Sequence, residues 1–111
     1  MAIPTGPGTE VLKRVTADSN SGWNEIFSGS ADHIYTIITI IAQANATGGN
    51  IGLRVNDGAE DIYILNSYPL AAYQTFIWND KFVLYEDDDL DVYSEGADVD
   101  FYVTYIDQDW T

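Results

Sequence analysis

From Asp98 to Asp107 the chain alternates without a break. Val99, Phe101, Val103 and Tyr105 fall on one side, and Asp100, Tyr102, Thr104 and Ile106 on the other. Only an extended backbone, whose side chains repeat every second residue, gathers the first set on one face. A strand with one such apolar face has to be covered by a second apolar layer. This segment alone therefore calls for a layered β fold.

Shorter pieces of the same kind fill the rest of the chain, bounded by Gly, Pro, Asn, Asp and Ser. Glu10–Val15 predicts a first strand, Asp18–Gly22 a turn, and Trp23–Ser28 a second strand with Trp23 and Ile26 or Phe27 inward. Gly29–Asp32 predicts another turn. His33–Gln43 is apolar on both sides, and its Ile34, Ile37, Ile38 and Ile41 also fit helical spacing. A run of Ile and Thr loses rotamer freedom in a helix and suits a sheet. It is assigned to a central strand, one face on the core and the other against a neighbour.

Ala44–Asn50 is a Gly-Gly turn. Ile51, Leu53 and Val55 then alternate with polar residues up to Asp57-Gly58, a tight-turn signal. The return strand runs from Asp61 to Asn66, with Ile62 and Ile64 on one face and Tyr63 and Leu65 on the other. Pro69–Ala72 is a connection, Tyr73–Trp78 a strand, Asn79-Asp80 a turn and Lys81–Tyr85 a strand. Glu86–Asp89 turns into Leu90–Ser94, and Ser94–Ala97 turns into the last strand. About nine short strands at this spacing predict an all-β, antiparallel, jelly-roll-like sandwich.

The 111 residues suffice for a single domain, placed at residues 9–111. Residues 1–8 hold two of the three prolines and two glycines, and read as an extended arm outside it. Eighteen acids against four bases give a formal charge of −14. Such a chain repels nucleic acid and anionic lipid, so neither is expected as a partner. The segment Met1–Gly8 has neither the basic nor the apolar region of a secretory signal. No apolar run reaches the ~20 residues of a membrane helix. The chain has no cysteine, which excludes thiol nucleophiles, disulfides and Cys-based zinc sites.

Few residues suggest chemistry. His33 is the only histidine and starts a strand, nothing resembles a G-x-S-x-G elbow, and an ordinary strand-end histidine is expected. Ten of the eighteen acids lie between Glu86 and Asp109, and no base follows Lys81. Asp87, Asp89 and Asp91 have the 1-3-5 spacing of a calcium loop, with Asp98 at its twelfth place. Val92, however, stands where that loop needs glycine. These three carboxylates are retained as candidates for a looser Ca²⁺ site between strand ends, against a solvated turn that keeps strand edges apart. Paired carboxylates for glycoside hydrolysis need a cleft that a thin sandwich does not offer. Trp23, Trp78 and Trp110 could stack on sugars, though core packing explains most aromatics. Asn45-Ala46-Thr47 matches a glycosylation acceptor and is read as chance. No cofactor is expected.

From Ile34 onward the chain resembles small virion proteins of tailed bacteriophages, the capsid decoration (cement) proteins and related tail or fibre sandwiches. Three features carry the resemblance. They are the strand Tyr35–Ile41 with its Asn/Gly-rich loop, and the hairpin Ile51–Leu65 with its Asp-Gly turn. The third is Lys81–Leu84, a short turn, Leu90–Tyr93 and the final alternating strand. In that turn Asp87 stands in the place of a glycine, tolerating the left-handed conformation. The resemblance implies a non-catalytic structural protein, a homo-oligomer and often a trimer, assembled in the bacterial cytoplasm into a virion. Its partner would be the major capsid protein or another virion protein. Ile3, Pro4, Leu12, Lys13, Arg14 and Trp110 are the candidate contacts. The alternative is a tail or fibre module binding host glycan or protein, with Ca²⁺ as an option; a small hydrolase is the third reading.

Overall fold

A computed structural model describes residues 9–19, 22–95 and 98–109. The expected arm, Ile3, Pro4 and Trp110 lie outside them. The protein is all-β: β1 (Thr9–Ser19), β2 (Gly22–Ser28), β3 (His33–Ala44), β4 (Gly49–Asn56), β5 (Asp61–Leu70), β6 (Thr75–Trp78), β7 (Phe82–Tyr85), β8 (Asp89–Glu95) and β9 (Val99–Asp109). Two antiparallel sheets pack face to face. One is ordered β1-β9-β3-β6 with β7 also on β3; the other is β2-β8-β4-β5.

β6 and β7 share one edge of β3, pairing with Ile40–Gln43 and Ile34–Ile37 respectively, and act as one interrupted strand. The pairs are then β1·β9, β2·β8, β3·β6/β7 and β4·β5, first with last and so inward. A long antiparallel ribbon with its tip at the β4–β5 hairpin has been wrapped into a double layer. That is the jelly roll.

Inward residues of both sheets make one core. Ile37, Ile40, Ile51, Leu53, Leu84, Leu90, Val92, Val99, Phe101 and Val103 are essentially inaccessible. The alternation of the last strand holds throughout, with Val99, Phe101, Val103 and Tyr105 buried. In β3 a bulge between Ile37 and Thr39 shifts the register against β9. It turns both Ile37 and Ile40 inward, so the inward set of this strand breaks strict alternation.

Several expectations are corrected. β1 runs through Asp18 to Ser19, where a turn was expected. Trp23 does not face inward: a bulge between Glu25 and Phe27 sends Ile26 and Phe27 to the core and leaves Trp23 on the outer surface. The Asp57-Gly58 signal does mark the hairpin tip, with Gly58 at φ 92°, but the loop spans Asp57–Glu60. Asp57 Oδ1 accepts hydrogen bonds from the Ala59 and Glu60 amides. β5 continues through Pro69, expected in a connection, because an edge strand tolerates a missing donor. Its register shifts against β4 break the simple alternation, so Ile64 and Leu65 both pack on the core. β6 begins at Thr75, since Tyr73 sits in a turn at φ 61°. In the β7–β8 turn the left-handed residue is Glu86 (φ 48°), not Asp87.

Candidate functional site

The chemistry-bearing side chains collect at three places. The first is at the end of the core where β1, β3 and β9 meet. Asp107 continues the inward set of β9 and is buried. Lys13 Nζ donates to its Oδ2 at 2.9 Å, and His33 Nδ1 lies 2.7 Å from its Oδ1. His33 stacks on Tyr35, with ring centroids 5.6 Å apart. Burial pushes the Asp107 carboxyl up, but the hydrogen bonds from Lys13 and His33 outweigh this and hold it below its ordinary 3.8. The Lys13 ammonium is raised above its ordinary value, chiefly by the same hydrogen bond. The group is a clamp across three strands, with both carboxylate oxygens occupied by the protein itself.

Asp107→Asn is expected to lower stability by about 2 kcal/mol, less than a fully buried ion pair because the Lys13 head can reach water. Because the folded pKa lies below the unfolded one, the carboxylate stabilises fully above about pH 4, and that stabilisation is lost as pH falls through the lowered value. Urea unfolding between neutral and strongly acid pH should therefore show an acid limb in the wild type that is weakened in the variant.

The second place is the outer face of the β2-β8-β4-β5 sheet. Trp23 lies across Gly52, where a side chain would meet its ring at 3.0 Å. Tyr63 and Tyr93 flank it, with centroids at 5.7 and 5.0 Å. The Arg54 guanidinium sits 4.2 Å from the Trp23 ring centroid, and its Nε donates to Asp91 at 2.9 Å. Asp91, a Ca²⁺ candidate, is thus engaged by a cation of its own chain. Asp89, on the same strand, neighbours Glu25, whose carboxyl is raised first by burial and then by Asp89. Asp87 lies in the preceding turn. Among the described residues no three acidic or histidine side chains converge as a metal-holding group.

The third place is the outer face of the β1-β9-β3-β6/β7 sheet. The registers set Leu12 beside Ile106, Thr36 and Val83, and Thr16 beside Tyr102, Ile41 and Ile77. Leu12 is 68% exposed and Ile77 59%. Arg14 stands on this face over the Tyr102 ring, 5.6 Å from its centroid. Of the expected contacts, Leu12 and Arg14 are therefore displayed outward, whereas Lys13 points to the clamp. The clamp itself was missed in the sequence, although Asp107 has the parity of the inward set and an acid there demands a cation.

The protein is thin, 19 Å along its shortest axis. That leaves room for the two sheets and their side chains but not for a deep cleft. Surfaces, not an interior site, are what the fold presents.

No protein-family model matches the chain, and no curated protein matches it. Solved structures do. A chain of the Bacillus endospore appendages, described as disulfide-linked pili, superposes with a TM-score of 0.60 at 13% identity, covering 100% of this chain and 97% of that one. A chain from the acid-stable capsid of Helicobacter pylori bacteriophage KHP30 gives 0.55 at 7% identity, covering 95% of each. A chain of infectious bursal disease virus, Gx strain, gives 0.55 at 8% identity, covering 92% of this chain but 33% of its own length. What the chain shares with all three is its fold, a jelly roll that in the first two accounts for nearly the whole chain.

Proposed function

We propose that this chain is a non-catalytic structural subunit of a virion, and specifically a decoration protein seated on the outer capsid surface. The observation that carries this is a jelly roll, too thin for a cleft, whose outer β1-β9-β3-β6/β7 face displays large apolar side chains. Likeness to a phage capsid chain over nearly the full length supports it. A subunit of this kind works by burying, in the lattice, surface that stays open on the isolated chain, and so stabilises the shell by mass action. The partner is the major capsid protein or a neighbouring virion protein, met by a homo-oligomer of this chain. Ile3, Pro4, Leu12, Arg14 and Trp110 are the proposed contacts.

The second reading, a fibre or tail module, draws on the likeness to the pilus chain. That pilus is disulfide-linked by its description, and these 111 residues hold no cysteine with which to join in such a way. An electron-microscopy map of purified particles separates the readings: hundreds of copies spread over the shell are expected, and a few copies at a tail tip would support the alternative. Removing residues 1–8 should abolish capsid attachment while leaving the circular dichroism of the domain unchanged. Undiminished occupancy by the truncated chain would remove the arm from the contact.

A further inference from the structure

The outer β1-β9-β3-β6/β7 face carries more than apolar surface. At the end of β1 and β9, Asp18 and Asp100 stand opposite each other in the register. A direct cross-strand pair of carboxylates is destabilising. Asp18 is accordingly raised above its ordinary value, first by its hydrogen bond with Asp100 and then by that neighbour's charge. Beside them lies an open recess of ≈ 620 Å³ lined by Thr16, Asp18, Ile41, Gln43, Asp100 and Tyr102. Among the described residues, no lysine, arginine or histidine forms an ion pair with either acid.

The protein's own cations offer little for that place on a second copy. Lys13 is held by Asp107, Arg54 by Asp91 and the Trp23 ring, and Arg14 lies on this same face. Among the described residues Arg14 and Lys81 alone stand outside an ion pair, on a chain of net charge −14. Two copies meeting here would bring together two chains of net charge −14, with few cations to offset it.

We infer that this face docks a different protein, through a surface that alternates apolar residues with lysine or arginine. The apolar residues cover Ile41, Tyr102, Leu12 and Val83, and a basic side chain enters the recess between Asp18 and Asp100. There it relieves the cross-strand repulsion, so the pair favours this partner over a neutral one. The inference deepens the assembly reading by naming the partner's chemistry, and rests on that reading only for where the partner is found.

The test uses the purified chain and three peptides about seven residues long. One alternates Ile with Lys, one Ile with Glu, and one Ser with Lys. Calorimetry should show saturable binding of the Ile/Lys peptide alone, and amide shifts should cluster at Thr16, Ile41 and Tyr102. The double variant Asp18→Asn, Asp100→Asn should weaken binding by about tenfold, as should raising salt from about 50 to about 500 mM. Ile41→Ser, also at the surface, should weaken binding without changing the fold. Failure of the Ile/Lys peptide to saturate, equal binding of the Ser/Lys peptide, or shifts on the opposite sheet would each overturn the inference. So would sedimentation showing a wild-type dimer that Ile41→Ser dissolves, since the occupant would then be a second copy. None of these outcomes depends on where the chain sits in a particle.

Discussion

Phe101→Ala should lower the melting temperature by about 15 °C, the largest effect expected of any single substitution here. The ring is buried near the start of β9, and its neighbours across the sheet are Ala17 on β1 and Ala42 on β3. Large and small residues thus alternate along that row, and the ring fills the space both alanines leave. The substitution would put alanine at three successive positions across the sheet. Neither flanking alanine is long enough to collapse into the gap, so the cost falls at the upper part of the usual range, about 4 kcal/mol. A domain of this size holds only about 5–15 kcal/mol in total. Thermal unfolding followed by circular dichroism measures it. A loss under about 5 °C would mean that the facing sheet closes over the void.

Gly29→Ala should be the second most damaging change, by about 3 kcal/mol, although it adds one methyl group to a loop. The added carbon would fall inside the van der Waals envelope of the Glu86 carbonyl oxygen and 2.8 Å from the Tyr35 ring. Neither can yield easily. Glu86 is fixed by its amide donating to the His33 carbonyl at 2.9 Å, and Gly29 itself donates to the Asp88 carbonyl at 3.1 Å. Tyr35 packs edge-on against Phe27, with centroids 4.6 Å apart, and its hydroxyl accepts from the Ser30 amide. The β2–β3 corner and the β7–β8 turn would have to separate. A lower urea midpoint together with a loss of near-ultraviolet tyrosine signal is the expected result; an unchanged midpoint would show that the turn moves freely.

Much of this architecture is legible in residue order, and the exceptions share a physical cause. Period-two alternation places β9 and its inward residues correctly, and β-branching rightly overrides the helical spacing of β3. Trp23 and Phe27 share a parity that would put them on the same face. A bulge adds one residue between them and reverses it. Bulges leave no compositional trace when the extra residue is as ordinary as Ile26. The β7–β8 turn was placed correctly but its left-handed residue was not, because Glu86 is held there by the His33 carbonyl rather than by its own preference. The Lys13–Asp107–His33 clamp joins residues far apart in sequence, and only the strand order shows that they meet. The apolar character of the β1-β9-β3-β6/β7 outer face was legible in β3; its extent across Leu12, Tyr102, Ile77 and Val83 was not, for the same reason.

The nested pairing also fixes when that face comes into being. A chain emerging from the ribosome presents β1 well before β9, the one strand it pairs with among the described residues. The β4–β5 hairpin needs only a short loop to close and is expected to form early, with each outer pair waiting on the one inside it. Leu12, Thr16 and Asp18 therefore acquire their neighbours Ile106, Tyr102 and Asp100 at the final step of folding. Chains that stop short of β9 carry the same side chains without the surface.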